Sequence, residues 1–296
     1  MNHRLSDRAF VAINYAFTAL MLVVVLYPLI YIISASVSNP LYVNSGHMWL
    51  WPEQVTFEGY KRVFQNADIW RGYRNTIGYT LLGTGIHLAI LLPCAFALSR
   101  KEMRGRTAIM VFMLATMFFN GGLIPNYLLV KQLGMMDSLW AIVVPNAVGI
   151  WAIVVTRTFF AANVPQELQE AAEIDGCRLF GVFFRIVLPL SGPIIAVMSL
   201  FHAVGLWNQY FAAMMYLSNR DLFPLQLILR EILILQEMNT TMLMSGDQLD
   251  SLSEQARIAD ILKYAVMIVS ALPLLIAYPF LQRFFVKGVL IGSLKG

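Results

Sequence analysis

Three glutamates, Glu167, Glu170 and Glu173, recur at every third position inside the stretch PQELQEAAEIDGCRLFGVFFRIVLP, residues 165 to 189. On a helix that spacing keeps the carboxylates on one side, where they can pair with a partner surface. A second group, Trp207, Asn208 and Tyr210, offers an aromatic face with an amide and a hydroxyl. That mixture suits a sugar, or equally the aromatic belt of a membrane interface. Elsewhere reactive groups are sparse. His87 and His202 lack metal-ligand spacing and read as packed polar residues. Cys94 and Cys177 form no CxxC pair and read as packing residues. No GxSxG elbow and no GxxxxGK[ST] phosphate loop is present; the nearest shape, Gly292-Ser293-Leu294-Lys295-Gly296, has the wrong spacing. The chain offers surfaces for recognition, and no residues for releasing energy.

The elements that position these groups are set by composition. Of 296 residues 58% are hydrophobic and 13% charged, and the mean hydropathy is +0.66. A soluble domain is about a quarter charged, so the sequence reads as an all-α integral membrane protein. The small net charge of +4 and the lack of like-charge blocks argue against a nucleic-acid partner. Six apolar stretches are long enough to span lipid: roughly 10–36, 76–98, 107–130, 139–156, 193–217 and 261–282. The first exceeds the h-region of a signal peptide and is expected to stay as a transmembrane helix. The third is interrupted by Asn120-Gly121-Gly122-Leu123-Ile124-Pro125, either a break near one membrane face or a helix end with a loop after it. The spans hold no Asp or Glu, which disfavours an ion-coupled carrier.

Orientation follows the short basic cluster Arg100-Lys101-Glu102-Met103-Arg104-Gly105-Arg106, which places both termini in the cytoplasm. The outer loops then hold Trp49 and Trp51 as interfacial aromatics, a short helix near 57–65, a surface helix over Leu225–Gln236, and a polar loop tip from Asn239 to Ser253. Residues 165 to 189 fall inside. Pro165 suits a first helical turn, and Leu168, Ala171, Ala172 and Ile174 make an apolar or small face. Gly176 permits a turn, and a second helix is expected from Leu179 to Leu188, closed by Pro189. An anionic leaflet would prefer Lys and Arg on such a face, so a protein socket fits better than a membrane-surface connector.

Glu170-Ala171-Ala172, then Gly176, Ile186 and Leu188-Pro189 at fixed spacing match the EAA loop of binding-protein-dependent ABC importer permeases. Tyr27-Pro28-Leu29, Ser34 to Pro40, Asn75-Thr76, Leu98-Ser99-Arg100 and Arg104-Gly105-Arg106 resemble carbohydrate-uptake permeases of the maltose type. Gly121 to Tyr127, Leu133-Gly134-Met135, Trp207 to Phe211 and Phe223 to Gln226 resemble the subgroup importing complex oligosaccharides, including the smaller permease subunit of alginate-oligosaccharide importers.

The resemblance implies a type I permease fold with six transmembrane helices. Residues 1–74 would form the first span and outer loop. Residues 75–296 would form a five-helix core carrying the coupling loop 161–190 and the outer loop 218–258. It implies that Glu170, Ala171, Ala172, Asp175, Gly176, Ile186, Leu188 and Pro189 couple to an ATPase, with Glu170 as the charged anchor. It also implies that Asn239, Ser245, Gly246 and Asp247 touch an extracytoplasmic binding protein. The implied partners are a related permease, two ATPase subunits, that binding protein, an oligosaccharide and the bacterial inner membrane. ATP and Mg would be bound by the ATPases, leaving this chain without cofactor, metal or catalytic residue. A non-sugar cargo such as a peptide or polyol is the alternative.

Overall fold

The structure, a computed structural model, describes residues 2–119, 121–243 and 262–279, and every regular element among them is helical. In chain order these are α1 (Asn2–Ser36), α2 (Pro40–Asn44), α3 (Glu58–Gln65), α4 (Ala67–Ser99), α5 (Arg106–Phe118), α6 (Leu123–Gln132), α7 (Trp140–Val143) and α8 (Ile150–Asn163). Then come α9 (Gln166–Ile174), α10 (Leu179–Val182), a π turn (Phe183–Val187), α11 (Leu188–Leu190), α12 (Gly192–Trp207), α13 (Phe211–Tyr216), α14 (Leu225–Leu243) and α15 (Leu262–Pro279).

Among the described residues, three helices are long and apolar enough to cross a membrane: residues 7–36 of α1, α4 and α15. The count is five if α5 with α6, and α10–α11 with α12, each make one bent span; α8 is a shorter apolar helix. The six stretches expected from sequence therefore map onto helices, but several are broken. α5 has 13 residues, about 20 Å, too short to cross alone. Gly122 at φ +88° stands before α6, which takes a new direction. The fourth stretch is not one helix: α7 is a single turn, Pro145 and Gly149 interrupt the backbone, and α8 continues to Asn163. The fifth stops at Trp207 and restarts at Phe211. The surface helix expected to end near Gln236 runs on to Leu243, because Asn239-Thr240-Thr241 contains no glycine or proline to stop it.

The chain forms two compact units. In the first, residues 1–70 with 229–272, α1 leaves its whole apolar window exposed, as a helix facing lipid would. Its serine-rich end is tied down. Ser34 Oγ donates to the Leu50 carbonyl at 2.5 Å, Ser38 Oγ to the Ser34 carbonyl at 2.7 Å, and Asn39 caps α2 through the Leu41 N–H at 3.1 Å. Ala35, Val43 and Met48 pack beneath with Tyr31 and Tyr264, whose rings meet edge to face at 6.3 Å.

The second unit, residues 71–228 with 273–296, holds the larger core. Asn75-Thr76 has a direct role here. Asn75 Nδ2 donates to the Asp221 and Phe223 carbonyls at 2.7 and 3.0 Å, and buried Thr76 Oγ1 accepts the Leu225 N–H at 2.8 Å. The start of α14 thus gets its cap from a distant helix. Asp137, at φ +53°, accepts the backbone N–H groups of Ser218 and Asn219. Those bonds hold its carboxyl below the usual aspartate range, against slight opposition from burial.

Candidate coupling site and cavity

α9 begins after Pro165, carries Glu167 in its first turn, and ends in a closed cap. The Cys177 N–H bonds the Ala172 carbonyl at 2.8 Å and the Gly176 N–H bonds the Glu173 carbonyl at 3.0 Å. This Schellman pairing needs a left-handed residue, supplied by Gly176 at φ +80°. A Cβ there would meet nothing within 4 Å, so the glycine is required by backbone conformation and not by crowding. Arg178 then enters α10 from extended backbone. Pro189, expected to close the second helix, lies inside α11. It cannot donate to the Arg185 carbonyl, and the turn before it is wound as π. The segment turns by 80° at Ser191 into α12.

The loop has a rooted side and a bare side. Val182, Phe183 and Val187 are buried with Leu91, Ala95, Phe96, Leu98 and Phe160, from α4 and α8. Ala172, Cys177, Ile186 and Leu188 pack partly against the same core, and the Phe96 and Phe183 rings lie 5.2 Å apart. Facing outward are Glu167, Glu170, Ala171, Asp175, Gly176 and Pro189, with Ile174 at 86% exposure and Phe180 at 78%. A cleft of about 630 Å³ lies beside α9, lined by Glu167, Glu170 and Glu173 on one side and Arg100, Lys101 and Glu102 on the other. The Glu102 carboxyl sits below its ordinary range. The main cause is a hydrogen bond from its own backbone, opposed by burial and helped by the charges of Arg100 and Arg106. In the sequence the Arg100 cluster marks topology and a resemblance to carbohydrate-uptake permeases, but not a contact with α9. Its contact with Glu173 joins positions 73 apart, and no local pattern announces it.

At the other end of α12, about 24 Å along the helix, the residues expected to form a substrate path are separated. Asn208 and Tyr210 line a cavity of about 450 Å³ with Asn146, Phe201, His202 and Gln209. Trp207 is 5% exposed, packs on Tyr73 at 6.2 Å between ring centres, and lines a different, apolar pocket with Thr80 and Leu274. An adjoining cavity of about 330 Å³ shares Asn146, Phe201 and His202 and adds His87 and Trp151. His87 and His202 stack at 4.1 Å, and His87 Nδ1–H donates to the Ala147 carbonyl at 2.8 Å, the packed role expected of them. Asn146 and Gln209 were missed because each sits in a helix break whose partner break lies some sixty residues away. Among the binding-protein residues, Asn239 lies within α14, not in a loop; Ser245, Gly246 and Asp247 fall outside the described residues.

A chain whose regular elements are helical among the described residues, with long apolar helices, broken spans around a cavity and a bent acidic loop, is built as a membrane permease subunit. It belongs to the family described as binding-protein-dependent transport system inner membrane component, whose profile matches residues 1–291. Protein LplC of Bacillus subtilis (strain 168) is 36% identical over 298 residues, covering 100% of this chain and 98% of LplC. The polygalacturonan/rhamnogalacturonan transport system permease protein YtcP of the same strain is 36% identical over 292 residues, covering 99% and 100%. A crystal structure of a bacterial ABC transporter involved in the import of the acidic polysaccharide alginate contains a chain that superposes with a TM-score of 0.84 at 30% identity, covering 95% of this chain and 98% of that one. These matches bear out the resemblance read from the sequence: the chain is an ABC importer permease and an integral membrane protein.

Proposed function

We propose that this chain moves oligosaccharides, with acidic ones favoured, from an extracytoplasmic binding protein across the inner membrane by alternating access. A related permease completes the pathway, and two ATPase subunits below supply ATP and Mg chemistry that this chain does not perform. Both termini lie in the cytoplasm, on the side of the basic Arg100 to Arg106 cluster.

The observation that carries the reading is the pairing of α12's two ends. At one end the loop containing Glu170, Ala171, Ala172, Asp175, Gly176, Ile186, Leu188 and Pro189 is rooted in the core and bare outside. At the other, two helix breaks, α7 to α8 and α12 to α13, contribute Asn146, Asn208, Gln209 and Tyr210 to one cavity. Irregular backbone at membrane depth is tolerated where it lines a cavity. ATPase closure pushes α9; the buried Val182, Phe183 and Val187 pass the motion to α4 and α8, and the corner at Ser191 passes it to α12. Asn208 and Tyr210 then present amide and hydroxyl groups to the passing sugar, and Trp207 braces the helix end from behind.

Acidic cargo is supported by what YtcP and the alginate importer carry. It also agrees with a cavity that has no carboxylate among its described lining residues, so no fixed negative charge repels a uronate. The test is sugar-stimulated ATP hydrolysis in vesicles holding the full transporter and its binding protein. Oligouronates should stimulate and neutral oligosaccharides of equal length should not. Stimulation by peptides or polyols alone would overturn the cargo assignment.

A further inference from the structure

The loop's attachment to the core includes a charged joint as well as an apolar one. Arg100 follows the last residue of the second long helix, α4, and its side chain is 17% exposed. Its Nη2–H donates to Glu173 Oε1 at 2.8 Å and its Nε–H to Glu102 Oε2 at 3.2 Å. The guanidinium lies over the Phe96 ring at 6.0 Å, and Phe96 in turn packs on Phe183 of the π turn. Its third nitrogen, Nη1, is buried with no hydrogen-bond partner. The backbone around it is also held: Arg157 Nε–H donates to the Leu98 carbonyl at 3.2 Å and Arg106 Nη1–H to the Arg100 carbonyl at 3.3 Å. These two cations satisfy carbonyls at the C-terminal end of α4, where positive charge is favoured.

We propose that Arg100 is a positioning residue that joins the last turn of α9 to the end of α4, so that a push on α9 moves the second span along with α12. This rests on the coupling role given to α9 above. Glu173 points from α9 toward Arg100, while Glu170 lines the cleft and belongs to the face offered to the ATPase. One helix thus makes an outer contact and an inner one through different carboxylates. Releasing Nη2 from Glu173 would leave Arg100 held by Glu102 alone, with Nη1 already unpaired, and would cut the only polar link the guanidinium makes to α9 among the described residues. Glu102, on the same guanidinium but not on α9, serves as the internal control.

The experiment compares Arg100→Gln, Glu173→Gln, the double variant and Glu102→Gln in the assembled transporter in vesicles, reading sugar uptake and ATP hydrolysed per sugar moved. Recovery of the complete assembly is measured for each. Each of the first two changes should cut uptake about threefold, the loss expected for one part-exposed ion pair, and should raise ATP spent per sugar. Docking through Glu170 persists in them while transmission fails. The double variant should be no worse than either single one, because both remove the same joint. Glu102→Gln should change uptake by less than about twofold, because Glu102 is not on α9 and its loss leaves the Arg100–Glu173 contact in place. Wild-type ATP cost per sugar in Glu173→Gln, or losses that multiply in the double variant, would overturn the joint; Glu173 is exposed enough for that variant to fold. Glu170→Lys separates the two levels. If it abolishes uptake while Glu173→Gln has no effect, only the joint fails; if it too transports normally, the coupling role of α9 fails.

Discussion

The two ends of α12 are built on opposite plans. The coupling end is over-determined: a Schellman cap, a buried cluster of Val182, Phe183 and Val187, and the Arg100–Glu173 contact all fix one arrangement. The cavity end is interrupted backbone. Asn208 Nδ2 is spent on its own helix, bonding the Val204 carbonyl at 3.0 Å, and Phe201, Tyr210 and Phe211 stand partly exposed. The contrast suits the two tasks. A segment that receives force must be stiff, because a soft joint absorbs displacement. A wall that passes cargo must bind weakly and rearrange, because tight binding would trap the sugar.

The contrast can be broken at the stiff end first. Glu170→Lys and Gly176→Val should each reduce sugar uptake to background while the chain still reaches the membrane, measured by vesicle uptake against immunoblotting. Valine at a left-handed position costs about 1–3 kcal/mol, and nothing crowds the site, so the loss will reflect the bend alone.

Next is the core against the cavity wall. Phe183→Ala should lose about 3–5 kcal/mol of stability and lower the yield of folded chain. Phe201→Ala, more than half exposed, should lose less than about 1 kcal/mol. Thermal unfolding in detergent compares the two, and equal losses would erase the proposed difference between the regions.

Smaller still is Asn208→Ala. It should raise the half-saturating sugar-loaded binding protein about threefold to tenfold, with the maximum rate of hydrolysis little changed. The smallest effect is at Asp137, whose folded pKa is lowered by the Ser218 and Asn219 N–H groups. Its contribution is present above the unfolded value of about 3.9 and is lost as pH falls through the lower folded value. Asp137→Ala should therefore lower stability slightly at neutral pH and converge with the parent chain in acid, flattening the acid side of a thermal-unfolding profile taken against pH.

Much of the coupling end was legible in the sequence because its determinants are local. The spacing from Glu170 to Pro189, the helix-opening Pro165 and the turn at Gly176 all act within a few residues. The interruption of the third span was legible for the same reason, since two adjacent glycines and a proline mark it, but whether the helix resumes after it was left open. The fourth and fifth breaks were harder. Pro145 and Asn208-Gln209 are short interruptions inside long apolar stretches, so an average over a whole span hides them. α14 outran its expected end because polar residues alone do not stop a helix. Long-range pairings were illegible: Thr76 capping α14 and Arg100 holding Glu173 join positions 149 and 73 apart. The opposite environments of Trp207 and Tyr210, three residues apart, depend on a break that sequence did not reveal.

The central claim is that α9 receives force from an ATPase. Its most direct test is a cysteine at Glu170, with Cys94 and Cys177 replaced by serine, in the assembled transporter, treated with a short bifunctional thiol reagent with and without ATP. The expected result is a cross-link to the ATPase subunit whose yield changes when ATP binds. Absence of any ATPase cross-link, together with labelling of that cysteine by a membrane-impermeant thiol reagent from the outer face, would contradict the account.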